Sequence, residues 1–405
     1  MSTSNDIDSA THAGRPGYFA PFGWEHWPDF PMWSYQFRRG LGETQEGGGA
    51  VSESFQAASR MTPGDDESWY REFTRIADRN LTRGDAEAAL GHLQTARNCW
   101  LRAADYYRQA EFWLHGADPR RLTTFDKGEL CTTQFLQQLK PRGEVVDIDY
   151  EPGKPLRGYF IRSPNASGNQ PVLISFGGLD SHKDELWFMT GRGALQRGMS
   201  VLLVDGPGQG GSLRRHGLRA RHDFEVALGS CIDYLETRQD VELSRVAVSG
   251  SSLGGYYATR AACREPRIAA CISHGAIWDL SGVLASWSHD HPLVRHFLWV
   301  FGESNMAAVI ERAKAFDLSE VLSGMKCPYL IVHGGHDVLG VVAAGKLYEA
   351  AKAAGADVTL RIVTEEETGA DHCQHDNPTL GQELMLDWLC DRFDIDQRSL
   401  DTNLR

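Results

Sequence analysis

From about residue 144 the chain carries two alternating textures. The segments "VVDIDYE" and "LRGYFIRS" switch between apolar and polar almost residue by residue, the period of a half-buried hairpin. Six short runs follow with little polar interruption: "PVLISFGG", "MSVLLVDGPG", "RVAVSGSS", "IAACISHG", "PYLIVHGG" and "VTLRIVTE". Helical stretches separate them. Strands that are apolar on both faces must be covered on both faces, so the pattern predicts an α/β class protein with a mostly parallel sheet between layers of helices. In such sheets ligands sit at the carboxyl ends of the strands.

Upstream the texture differs. Residues 65 to 140 hold "ESWYREFTRIADRNLTRGD" and "AEAALGHLQTARNCWLRAADYYRQAEFWLHG", with apolar residues at helical spacing. The aromatic faces with Trp100, Tyr106, Tyr107, Phe112 and Trp113 need a surface to cover them. They predict a helical N-terminal cap module, not a solenoid, because only one repeat-like unit is present where about three are needed. Residues 16 to 37, "PGYFAPFGWEHWPDFPMWSYQF", are crowded with aromatics and proline and show no regular period. A glycine-rich break, "GETQEGGGA", follows them. The expected organisation is a disordered tail over 1–15, an aromatic-rich segment and helical cap over 16–140, and a catalytic domain over 141–397 with a lid insertion at about 276–327.

Length and charge narrow the function. A chain of 405 residues suits one large domain plus a further module. The net charge of -13 makes nucleic acid and anionic membrane unexpected partners. No apolar run reaches the ~20 residues of a membrane span, and the polar start "MSTSNDIDSATHAG" leads us to expect a cytoplasmic protein. The eight cysteines include no C-x-x-C pair, which predicts reduced core thiols, no disulfide framework and no zinc site.

The candidate chemistry sits in "VAVSGSSLGGYYA", where a strand should turn sharply into a helix. Gly250-Ser251-Ser252-Leu253-Gly254 fits the G-x-S-x-G elbow that lifts a serine clear of a sheet, with Ser252 as nucleophile. A serine needs a histidine to take its proton and a carboxylate to orient that histidine. "LIVHGGHDVLG" places Asp337 just past a strand, and "TGADHCQHDN" places His372 after the last one, in the Ser, acid, His order of this fold. Asp371 competes with Asp337 and His375 with His372. An oxyanion hole would take the amide of Leu253 and one from Gly178 or Leu179 in "SFGGLDSHKDE". "VDGPGQGGS" looks superficially like a dinucleotide fingerprint, but the glycine spacing is wrong and no helix is expected to start cleanly on its last glycine. Within the insertion, Trp278, Asp279 and Trp287 are candidate substrate contacts, with His289 and His291 behind them and Trp299 as a further aromatic. No metal or cofactor is expected. The expected partner is a small-molecule substrate, with a homodimer left open.

The strings "GSSLGGYYA", "HGGHD", "GADHCQHDN", "SFGGLDSHKDE" and "CREPRIAACISHGAIWDL" resemble the α/β-hydrolases that include bacterial 2,6-dihydroxypseudooxynicotine hydrolase, the fungal melanin-pathway naphthopyrone chain-shortening hydrolases and FrsA-like esterases. The resemblance covers roughly residues 65 to 395. It implies the α/β-hydrolase fold, Ser252 as nucleophile, Asp337 as acid, His372 as base, and hydrolysis of a carbon–carbon bond next to a ketone. A carboxylesterase or lactonase would use the same triad, and a non-catalytic ligand-binding relative would need none of it.

Overall fold

The computed structural model describes residues 25–288 and 290–400. The expected disordered tail, the start of the aromatic-rich segment and His289 lie outside the described residues.

The chain opens with five helices: α1 (Pro31–Glu43), α2 (Val51–Ala58), α3 (Asp66–Ala89), α4 (Leu93–Glu111) and α5 (Arg120–Gln137). Pro31 stands in the first turn of α1, where its fixed φ suits a helix and its missing N–H costs nothing. Asp65 caps α3 by accepting the Glu67 N–H at 3.1 Å. The helical part thus begins well before residue 65. The helical stripe in α1 is hidden because the helix is buried almost all round, its two arginines and Glu43 included.

The hairpin β1 (Glu144–Glu151) and β2 (Lys154–Ile161) then joins β3 (Gln170–Phe176), and a π-helical turn at Trp187–Gly191 runs into α6 (Arg192–Gln196). There follow β4 (Ser200–Val204), α7 (Gly210–His216), α8 (Glu225–Glu236), β5 (Val241–Ser251), α9 (Leu253–Arg264) and β6 (Ala270–His274). The insertion holds α10 (Leu280–Ala285), α11 (Val294–Phe301) and α12 (Met306–Ala313). The chain closes with β7 (Tyr329–Gly334), α13 (Val341–Ala353), β8 (Val358–Val363) and α14 (Pro378–Arg392). Among the described residues the strands form one sheet in the order β1-β2-β4-β3-β5-β6-β7-β8. It is antiparallel at β1/β2 and β2/β4 and parallel from β4 to β8. Helices α8, α9 and α13 cover one face and α6 and α14 the other. This is the α/β-hydrolase fold. Every residue of β3, β4, β6 and β7 is buried, which is why those runs read as uninterrupted.

One expectation about the glycine turn needs correction. A helix does start there: α7 begins at Gly210. Its N-terminus is already filled, because Asp205 accepts the Gly211 N–H at 2.8 Å, and a Cβ on Gly210 would lie 2.0 Å from the same carboxylate. A phosphate has no room.

The aromatic faces of the N-terminal helices are buried largely within their own module: Trp100 packs on Gly84 of α3, and the Tyr107 hydroxyl donates to Asp78 at 2.5 Å. The end of α4 faces the insertion, with Phe112 against His296 at 4.7 Å and Arg295 over Trp113 at 4.9 Å, and Asp66 of α3 pairs with Arg295 at 2.8 Å. What ties the module to the sheet is buried charge. Arg39 grips Glu185 at 2.6 and 2.7 Å, with Arg108 3.4 Å from the same carboxylate. Arg38 meets Asp371 at 2.5 Å, and Arg214 pairs with Glu111. Lys183, fully buried, lies 2.7 Å from Glu129 and 3.1 Å from Asp205. Burial alone would pull this lysine down, but Asp184, Asp205 and Glu129 hold its ammonium above its usual range. Removing residues 1–140 would strip partners from Glu185, Asp371 and Arg214 together. Each broken buried pair costs about 3–5 kcal/mol, against a total stability of about 5–15 kcal/mol. The truncated protein is therefore expected to be insoluble or inactive, and a soluble, fully active 141–405 fragment in an expression and turnover assay would refute this.

Candidate active site

Strand β5 ends and α9 begins within one residue, and Ser252 occupies that corner with φ 60° and ψ -122°. A serine seldom adopts this backbone state, and holding it there costs on the order of 1–3 kcal/mol. The neighbours permit it by being small. A Cβ on Gly250 would lie 2.0 Å from the Gly254 carbonyl oxygen, and one on Gly254 would lie 2.5 Å from that of Gly177. The Ser252 N–H donates to the His274 carbonyl at 2.7 Å, fixing the elbow to β6.

The corner aims Ser252 Oγ at His372 Nε2, 2.8 Å away. His372 Nδ1 lies 2.8 and 2.9 Å from the two oxygens of Asp337. Asp337 also accepts the Leu339 N–H at 2.8 Å. The structure thus brings together the three residues expected from sequence. Burial by itself would lower His372, but the Asp337 carboxylate overrides it and holds the imidazole well above its ordinary range. Asp337 is pushed up by burial, yet His372 keeps it well below the usual carboxylate range. His333 Nδ1 stands 3.7 Å from Asp337 but accepts the Ala276 N–H at 3.2 Å, and burial lowers it, so it faces the carboxylate as a neutral ring.

The rivals are engaged elsewhere. Asp371 is held by Arg38 at 2.5 and 3.0 Å, and burial, outweighing that partner, pushes its carboxyl up to about 6. His375 lines the cavity edge-on to Tyr35 at 5.9 Å, and burial, then Arg39, hold it well below its ordinary range.

Leu253, the first residue of α9, has an N–H with no intrahelical acceptor, and it lines the cavity together with Leu179. Gly178 sits beneath the elbow: a Cβ there would meet Ser251 O at 2.8 Å and Ser252 Cβ at 2.9 Å. It packs closely against the elbow, and Leu179 lines the cavity wall. Of the insertion residues, Trp287 lines the cavity. Trp278 and Asp279 do not; they line a groove on the outer side, where Asp279 caps α10 through the N–H groups of Ser281 and Gly282. His291 stacks on Trp287 at 3.9 Å, and Trp299 lies under Arg121 at 4.1 Å, behind the Leu179 loop.

Two groups escaped the sequence reading. Tyr35, Gln36 and Arg39 of α1 reach the cavity, and Arg39 also approaches Asp180 at 3.3 Å and Ser181 at 3.1 Å. The paired arginines in "YQFRRG", set among aromatics, were the available signal. His274 at the end of β6 meets Ser251 Oγ at 3.3 Å and Gln374 Oε1 at 2.5 Å. Burial pulls it down to about 4, so it is a neutral link between the elbow and the His372 loop. That loop is itself strained, with Cys373 and Gln374 at positive φ. Among the described residues no group of three or more His, Cys, Asp and Glu could hold a metal, and no helix is long and apolar enough to cross a membrane.

Residues 188–395 match the model of the prolyl oligopeptidase family. Hydrolase acrC of Aspergillus aculeatus is 34% identical over 342 residues, covering 72% of this chain and 80% of that protein. Hydrolase LUC6 of a Fusarium species is 31% identical over 415 residues, 90% of this chain and 97% of its own. The 20-hydroxy-prefusarin hydrolase FUS2 of Gibberella moniliformis is 33% identical over 347 residues, 74% and 81% of the two chains. The crystal structure of 2,6-dihydroxy-pseudo-oxynicotine hydrolase superposes with a TM-score of 0.73 at 27% identity, covering 88% of this chain and 95% of that one. The chain is a hydrolase with the α/β-hydrolase fold and belongs to the prolyl oligopeptidase family.

Proposed function

We propose that the protein is a serine hydrolase that cleaves a carbon–carbon bond next to a ketone in a β-diketone, aryl ketone or polyketide-like substrate. The observation that carries the reading is the unbroken chain from Ser252 through His372 to Asp337 at 2.8 Å per step, opening into a cavity walled largely by apolar side chains. A small organic substrate is supported by the relatives: one is named for a 20-hydroxy-prefusarin substrate and another for 2,6-dihydroxy-pseudo-oxynicotine. The carbon–carbon bond class is what the family resemblance carried by the motifs implies.

In this reading His372 Nε2 takes the Ser252 proton as Oγ adds to the carbonyl carbon. The amides of Leu253 and Leu179 receive the oxyanion. The carbon–carbon bond then breaks, its electron pair leaves on the departing carbon as an enolate, and His372 returns the proton to it. Water, deprotonated by the same imidazole, hydrolyses the acyl-enzyme. Carbon leaves far less readily than oxygen, so the substrate must carry its own electron sink. An ester or lactone needs none and would use the same residues. A screen of β-diketones and aryl ketones against matched esters separates the two readings, and turnover of the esters alone would overturn the first.

Two mutational outcomes follow from the geometry. Ser252→Ala is expected to lower kcat by at least about a thousandfold with unchanged circular dichroism, because only binding and the oxyanion hole remain. Ser251→Ala, which loses a contact to His274, should fall far less; equal losses would mean the nucleophile has been misassigned. Only neutral His372 can accept the serine proton, and its pKa is raised, so kcat/KM should drop with falling pH along a limb lying above the ordinary ~6.5 of imidazole. Asp337→Asn should lower the maximal rate by up to about ten-thousandfold and move any measurable limb to lower pH. Asp371→Asn should leave the limb in place. A limb that moved with Asp371 and not with Asp337 in these pH–rate profiles would overturn the acid assignment.

A further inference from the structure

The cavity at Ser252 encloses only about 60 Å³. A single water needs about 10–15 Å³ of such space, whereas ligand pockets run to about 300–1,000 Å³. A ketone with an electron sink does not fit, so the described structure is a closed form. On the outer side of one wall lies a groove of about 550 Å³. The two spaces share Val283, Trp287, Val338 and Leu339, and all four side chains are half-buried, with one space on each side of the wall. Beyond them the groove floor carries Trp278 and the exposed Val342.

We infer that these four residues form a gate, and that the groove between α10 and the start of α13 takes the apolar arm of the substrate while its carbonyl reaches Ser252. The inference rests on Ser252 being the nucleophile. The wall is suited to part. Val283 and Trp287 come from the end of α10 and the turn after it, whereas Val338 and Leu339 come from the loop after β7. Among the described residues the two sides line both spaces with the apolar side chains of Val283, Trp287, Val338 and Leu339. Van der Waals contact and apolar burial across the seam are lost when they separate, and an apolar arm lying between them restores both. The Trp287 indole is the largest of the four and stacks on His291, so it is the element whose rotation opens the most space. Asp279 keeps its carboxylate on the backbone of α10, so the helix can remain intact as the gate moves.

The test uses two alkyl fluorophosphonates, one with an ethyl and one with a dodecyl chain. These reagents phosphonylate an activated serine whatever its natural substrate: the Ser252 Oγ–P bond forms, fluoride leaves, and His372 takes the proton. Labelling rates of the full-length protein are measured for wild type, Val342→Trp and Trp287→Ala. Filling the groove in Val342→Trp should lower the ratio of dodecyl to ethyl rates at least about tenfold, the order of discrimination an apolar pocket gives for a few methylenes. Removing the indole in Trp287→Ala should speed labelling by the ethyl reagent several-fold, since the gate no longer has to swing. An unchanged ratio in Val342→Trp refutes the gate while leaving the nucleophile reading intact, and it decides the matter alone if Trp287→Ala does not fold. If neither reagent labels wild type, the nucleophile reading falls and the gate falls with it.

Discussion

The molecule is organised around a crowded corner of backbone. For Ser252 to stand at φ 60° at the end of β5, the chain must pass within contact distance of two neighbours at once, the loop after β3 and the end of β6. Gly250, Gly254 and Gly178 are small because there is no space for anything else. The strain is sustained because the surroundings over-determine it: two parallel neighbours clamp β5, and α9 starts on the very next residue. With the corner fixed, the carboxyl ends of β6, β7 and β8 bring the remaining groups to it without any residue needing an unusual reach.

The second organising feature is the way polar groups are satisfied around that corner. His333 and His274 flank the reacting chain of side chains as neutral rings, each lowered by burial, and His333 also accepts the Ala276 N–H. The charge in the immediate site is thereby confined to Asp337 and whatever proton His372 carries. A second protonated imidazole beside them would compete for the same carboxylate and depress the basicity that proton transfer needs. The pKa pattern is one of separation: one imidazole raised, its neighbours lowered.

How much of this could be read from the chain depended on whether the signal was local. The strands announced themselves because parallel strands between two helix layers are apolar throughout, and Ser252, Asp337 and His372 each stood in a short motif that follows a strand. Helix α1 was invisible for the opposite reason. Its stripe is erased by burial on every side, and Arg38, Arg39 and Glu43 are inside because their partners, Asp371, Glu185 and Arg108, lie far off in sequence. Asp279 misled because an aspartate that caps a helix and one that binds a ligand look alike until the amides of Ser281 and Gly282 are placed. Gly178 and Leu179 were interchangeable on paper; in the structure Gly178 packs beneath the elbow and Leu179 lines the cavity. The helix at Gly210 was missed because seven residues are too few to show a period.

The arginine–carboxylate contacts beneath the N-terminal helices bear on how such a chain can change over generations. Arg39 and Arg108 converge on Glu185, and Lys183 gathers Glu129, Asp184 and Asp205, so that residues far apart in the gene answer for one another's charge. A single substitution at any of these positions passes through an intermediate with an unpaired ion in the interior, which selection removes. The two halves are therefore bound to a common inheritance. Their interior charges should drift in matched pairs, and exchange of the helical half with a distant relative should succeed only when the whole set of counter-ions travels with it.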